Sequence, residues 1–206
     1  MRLAKATLLW AALAAAICVP IALAARSEQL AWRGPIYIAA GFAGIIALGL
    51  VLVQPLLAAG YLPGLSAYRG RRVHHWIGGA LVVAIVVHVA GLWITSPPDM
   101  IDALTYTSPT PFSPFGVTAM WAIFAVAILA AFRRRLGLQM WRILHMPLAV
   151  VIVVGGVVHA MLIEGTMETV SKAALYALVV AAAIKVIADV VGRMRATSRG
   201  ESLARQ

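Results

Sequence analysis

The chain has 206 residues, 63% of them hydrophobic and 12% charged, with 17 lysines and arginines against 7 acids and one cysteine. Soluble domains carry about a quarter charged residues, so this composition excludes that class and indicates a membrane protein. At about 20 apolar residues per crossing, the length holds about six spans with short connections and leaves no room for a large extramembrane catalytic domain.

In chain order, the first apolar stretch covers 8–25 and follows Arg2 and Lys5. Its basic lead and alanine-rich end resemble a cleavable signal sequence, but the run is longer than a usual signal core, and an uncleaved helix is the expected reading. Further stretches cover 36–59, 76–94, 117–132, 144–163 and 170–191. With their end turns included, the predicted helices are 8–25, 36–59, 74–95, 115–132, 142–163 and 170–191, followed by a tail over 192–206. The expected fold is all-α: one domain over 1–206, a polytopic bundle of six transmembrane helices.

Charge sets the orientation. Arg69, Arg71 and Arg72 precede the third span, Arg133, Arg134, Arg135 and Arg142 fill the fourth connection, and Arg193, Arg195, Arg199 and Arg205 follow the sixth span. Basic connections stay in the cytoplasm, so both termini are expected there, and in a bacterium the membrane is the inner one. The third connection carries Asp99 and Asp102 without a base, and the fifth carries Glu164 and Glu168 against Lys172, which suits the outer face. The first connection, with Arg26 and Arg33 around Glu28, is the exception to the pattern. The same distribution argues against nucleic acid as a partner, because the +10 charge lies between apolar runs and not on a soluble basic face.

Trp32, Trp76, Trp93, Trp121 and Trp141 fall near helix ends, where indoles anchor at the headgroup level. The connection over 96–115 contains five prolines. Connections of about 20 residues are uncommon and often functional, so a lid or docking surface is expected there. Lys185 and Asp189, spaced i,i+4 near the end of the sixth span, read as a helix-end ion pair.

All five histidines lie on two spans: His74, His75 and His88 on the third, His145 and His159 on the fifth. Ionisable residues inside spans are costly and mark functional sites. Both His74 to His88 and His145 to His159 are separations of 14 residues. At about 100° and 1.5 Å per residue, each pair shares one helix face and rises about 21 Å, most of a bilayer core. The two spans run in the same direction, so His74 comes level with His145 and His88 with His159. His75 competes with His74, but its 13-residue separation from His88 turns it about 140° from the shared face.

Two facing imidazoles at each of two levels match the axial ligands of b-type haem. Zinc or mononuclear iron would bring further ligands, such as carboxylates, which the spans scarcely offer near these positions. Cys18, alone in the first span, cannot build a disulfide within the chain, a thiolate zinc site or an iron–sulfur cluster, and no C-x-x-C-H motif is present to attach haem covalently. Gly78, Gly79, Gly91, Gly155 and Gly156 near the histidines either admit a flat macrocycle or serve close helix packing. Arg69, Arg71, Arg72 and Arg142 are candidate partners for haem propionates at the cytoplasmic level.

Paired histidines at this spacing occur in several di-haem membrane cytochromes, including the cytochrome b of quinol-oxidising complexes. The sequences His74-His75-Trp76-Ile77-Gly78 with His88, and Trp141-Arg142-Ile143-Leu144-His145 with His159, resemble the H-[RK]-x-[LI]-G…H and W-[RK]-x-[LI]-H…H patterns of the ferric reductase-like transmembrane family. The resemblance spans about residues 5–192 and includes NADPH oxidases, ferric and cupric reductases, and the haem-binding membrane subunit of the periplasmic methionine sulfoxide reductase system. It implies axial ligation by His74, His88, His145 and His159, with His75 standing where the family commonly has Arg or Lys, and two haems, or one. Fifteen residues follow Val191 and no glycine-rich dinucleotide motif is present. The expectation is therefore a relay that takes electrons from a separate cytoplasmic flavoprotein, with its FMN or FAD, or from quinol. An acceptor on the outer face would receive them, ferric iron or a periplasmic methionine sulfoxide reductase being the family's examples. A non-redox structural or transport component is the competing class, although transport usually brings interrupted helices and midplane charges.

Overall fold

The computed structural model describes the backbone of residues 2–203 and all of their side chains except those of residues 2, 67 and 193–203. The side chains of Arg2, Arg193, Arg195 and Arg199, and all of Arg205, therefore lie outside the described part. Among the described residues the secondary structure is helical, with no strand: α1 (Arg2–Ala24), a 3-10 turn (Glu28–Leu30), α2 (Pro35–Ala59), α3 (Ala67–Thr95), α4 (Pro97–Leu104), α5 (Ser113–Ala131), α6 (Leu138–Leu162) and α7 (Thr169–Leu203). All but α4 are long and apolar enough to cross a membrane. Their outward faces carry Leu8, Val83, Ile128, Val154 and Ile184 in exposed positions. In water so much exposed apolar surface would drive aggregation, whereas in lipid it is the expected solvent-facing side.

Local signals set the helix ends. Gly34 and Pro35 open α2, and Gly60 closes it in the left-handed conformation at φ 73°, its N–H donating to the Leu56 and Leu57 carbonyls. The Ser66 hydroxyl accepts from the Arg69 N–H at 3.3 Å and caps α3 seven residues before the predicted start at 74. The arginines of this extra stretch favour helix and project it beyond the apolar span. The Glu168 carboxylate accepts from the Val170 and Ser171 N–H groups, both at 2.7 Å, and starts α7. These bonds hold the Glu168 carboxyl below its ordinary range. α7 continues to Leu203, through most of the segment expected as a tail, although its apolar span ends at Gly192.

The proline-rich connection is ordered. Pro97 takes the first turn of α4, where its missing N–H costs nothing, and the Ser96 hydroxyl donates to Asp99 at 2.5 Å. Thr105, Thr107, Ser108, Thr110 and Ser113 then bond to one another through their hydroxyls and lead into α5. Sequence reading takes the prolines as loop markers, while here Pro97 and Pro114 both open helices.

The closest packing is between α2 and α3 and between α5 and α6, two helical hairpins, with α7 against α2 and α6 and α1 against α7 and α2. Ala47, Leu48, Val51 and Leu52 of α2 meet Leu81, Ile123, Val157, Leu175, Tyr176 and Val179 in the central core. Gly49 admits Ile17 of α1, whose side chain would lie 3.0 Å from an added Cβ. Trp10 donates to the Pro63 carbonyl at 3.2 Å, and the Tyr61 hydroxyl bonds to Asp189, which also pairs with Lys185 at 3.1 Å. These contacts gather the start of α1, the α2–α3 loop and the later part of α7 at one end of the bundle. That end carries the exposed Arg69, Arg71, Arg72, Arg133, Arg134, Arg135 and Arg142 and is called the arginine end. The opposite end carries α4, Asp99, Asp102 and Glu164, and is called the acidic end.

Candidate functional site

α3 and α6 bear the five histidines without packing closely on one another. They meet instead through side chains at two levels. At the arginine end the His74 and His145 ring centres are 6.4 Å apart with planes at 78°, and at the acidic end those of His88 and His159 are 6.5 Å apart at 82°. All four are partly buried. His75 is exposed on another face of α3, edge-on to Trp76, and joins neither pair.

The acidic-end pair is held by a duplicated cradle. His88 Nδ1 lies 2.8 Å from the Ala40 carbonyl oxygen and His159 Nδ1 lies 2.9 Å from that of Phe112. A carbonyl can only accept, so Nδ1 carries the proton in both rings and Nε2 keeps its lone pair. Four residues after each carbonyl stands a glycine, and both are needed. A Cβ on Gly44 would come 3.0 Å from His88 Nδ1, and one on Gly116 would come 2.6 Å from His159 Cε1. A side chain at that position flanks the helix carbonyl, and its absence lets the imidazole in. The two cradles repeat along the chain, 72 residues apart on α2 and α5 and 71 apart on α3 and α6.

At the arginine end the repeat breaks. His74 Nδ1 lies 3.1 Å from the Gln54 carbonyl. The Gln54 side-chain amide also lies against the same Nδ1 and against Gly78. The position on α5 equivalent to Gln54 is Val126, and His145 Nδ1 is buried without a hydrogen-bond partner. His145 is instead positioned by Trp141, stacked at 4.8 Å and 15°, with the Arg133 guanidinium 5.4 Å from the indole. Trp141, expected as an interfacial anchor, thus has a more specific task. Arg133 is also close enough to act electrostatically on both imidazoles. Arg69, Arg71, Arg72 and Arg142 are exposed at this end, on the same side of the bundle as the pair.

The glycines divide in the same way. Gly91 packs against Ala40 and Gly155 against the Phe115 carbonyl and Ala119, so both serve helix packing. An added Cβ on Gly79 or Gly156 would meet nothing within 4 Å, and Gly156 lines a cavity. That cavity, about 550 Å³, runs from His88 and His159 to the acidic-end loops and inward past Leu48 to Tyr176. Its size and mainly apolar lining suit a cofactor.

A metal–imidazole bond is about 2.0 Å, and with about 1.1 Å from nitrogen to ring centre, two imidazoles on opposite sides of one metal stand about 6.2 Å apart. Both observed separations match that span. Among the described residues no three His, Cys, Asp or Glu side chains converge, so a metal at either level would find two protein ligands and need the rest from its own framework. The cradle residues Gly44, Gly116 and Gln54 and the ring of Trp141 escape a reading based on histidine spacing. The 72-residue recurrence of glycine ahead of the histidine spans is the signal that points to the first two.

Residues 6–156 match the model of a family described as ferric reductase like transmembrane component. No curated protein and no solved structure matches the chain.

Proposed function

Because the chain belongs to the ferric reductase-like transmembrane family, we propose that it is a haem b-carrying electron-transfer subunit of the membrane, with one haem at each histidine level. The observation that carries this reading is the pairing of His74 with His145 and His88 with His159 at 6.4 and 6.5 Å. Haem brings four equatorial nitrogens, lacks only two axial ligands and, when bound, supplies one-electron chemistry. The protein supplies ligation by Nε2, fixed orientation and a medium of low dielectric. Donation from Nδ1 to the Ala40 and Phe112 carbonyls sets the tautomer and raises the ligand strength of His88 and His159. With an imidazole on each side, the group would favour electron transfer over oxygen binding.

The arginine end faces the cytoplasm of a bacterium in this reading, which follows from the positive-inside bias. Electrons enter there from a flavoprotein or from quinol. Arg69, Arg71, Arg72, Arg142 and the newly identified Arg133 face the entry level and balance the propionates of its haem. Electrons leave at the acidic end, where α4 and the hydroxyl-rich turn after it present the surface to an acceptor such as ferric iron or a periplasmic methionine sulfoxide reductase.

The test is the reduced-minus-oxidised spectrum and haem stoichiometry of the purified chain. Two b-type haems per chain are expected, reduced to one by His88→Ala or His159→Ala and unchanged by His75→Ala. An iron-free preparation that takes up no haem on reconstitution would overturn the reading.

A further inference from the structure

Bases on the acidic end break the charge pattern that orients the rest of the chain. Three are present there, Arg26, Arg33 and Lys172, and two of them, Arg33 and Lys172, line the cavity that also contains His88 and His159. Lys172 lies in the first turn of α7, where the helix dipole opposes a cation, and is held inward by donation to the Ile163 carbonyl at 2.9 Å. Arg33 is kept on the cavity wall by Tyr37, 4.8 Å from its ring centre. Neither is neutralised, because among the described residues the one ion pair is that of Lys185 with Asp189. Asp99, Asp102 and Glu164 border the same cavity beyond ion-pair distance from both.

We propose that Arg33 and Lys172 receive the two carboxylates of the macrocycle seated between His88 and His159. This rests on the haem reading above and adds the element that orients the group. Apolar walls around Leu48, Leu81 and Ile123 take its hydrocarbon edge, and the two cations at the mouth take its anionic edge, so the carboxylates face the acidic end. Without these cations the charged side chains beside a dianion would include the carboxylates of Asp99, Asp102 and Glu164. The charge-pattern exception in the first connection thereby gains a purpose: Arg33 is placed by its ligand and not by membrane topology.

The experiment compares uptake of haem and of haem dimethyl ester, which lacks both negative charges, by the full chain prepared free of haem. The unmodified chain is expected to bind the free acid at least tenfold more tightly at its acidic-end site. In the double variant Arg33→Gln with Lys172→Gln, that site loses the preference while still binding the ester, which shows that the pocket remains folded. The control pair Arg69→Gln with Arg72→Gln, at the opposite end, leaves the acidic-end preference in place. A double variant that keeps the wild-type ratio of acid to ester overturns the assignment. If the unmodified chain takes up neither form, it is the haem reading itself that fails, and the assignment falls with it.

Discussion

The two histidine levels use the same side chains and are held differently. At the acidic end both imidazoles donate to main-chain carbonyls opened by glycines, an arrangement repeated on two hairpins. At the arginine end His74 lies against the main-chain carbonyl and the side-chain amide of Gln54, and His145 has a ring stack in place of a hydrogen bond. A main-chain carbonyl inside a helix hardly moves, so the first arrangement fixes the ring by rigid backbone. The second has one such carbonyl, behind His74, and otherwise relies on side chains, which can rearrange. The acidic-end level is therefore the more preorganised of the two, and the arginine-end level the more adaptable.

The largest effect that would break this contrast is at Gly116. Its Cβ has no free space beside the His159 ring, so Gly116→Ala should weaken haem retention at the acidic-end level by about 10–100-fold, the usual range for losing a partner behind a metal ligand. Gly44→Ala, whose Cβ would sit 3.0 Å from the ring of His88, should do less. Haem titration monitored by absorbance measures both, and equal, negligible losses would remove the cradle from the account. Trp141→Ala should act on the other level alone, with a loss of about 0.5–1.5 kcal/mol for the stacked pair, about two- to tenfold in retention. Gln54→Leu removes the side-chain amide and leaves the carbonyl, so His74 should keep its haem, with haem stoichiometry as the check.

The smallest expected effect concerns neither level. Glu168 has its folded pKa lowered by the N–H groups it accepts from, so its stabilisation of α7 is complete above the ordinary glutamate value of about 4.3 and is lost as pH falls through the lowered value. Between pH 5 and pH 7 this group should add no pH dependence to thermal unfolding, whereas Glu168→Gln should flatten the decline at acid pH. The Tyr61 phenol, with its pKa raised by hydrogen bonding to Asp189, stays neutral throughout that range.

Much of the fold is legible in the sequence because lipid imposes one requirement on every span. Six apolar runs give six of the seven helices, and the 14-residue histidine spacing brings the pairs level. His75 falls outside both pairs, as its 140° offset implies. Other features were not legible for physical reasons. Ser66 extends α3 by a side-chain cap, and α4 forms inside a segment whose prolines also mark turns. The carbonyls of Ala40 and Phe112 act through main chain, which no residue type announces. Trp141 satisfies the pattern of an interfacial anchor equally well, and only its 15° stacking angle on His145 reveals the difference.

α3 and α6 face each other through imidazoles and not through interlocked backbones, while each packs closely on its own hairpin partner. The consequence is one of timing. Two hairpins, α2 with α3 and α5 with α6, can each complete their own packing as they enter the membrane, and the seam between them closes last. Whatever the four imidazoles grasp is then gripped from both sides as the seam closes, so loading and final assembly become a single event.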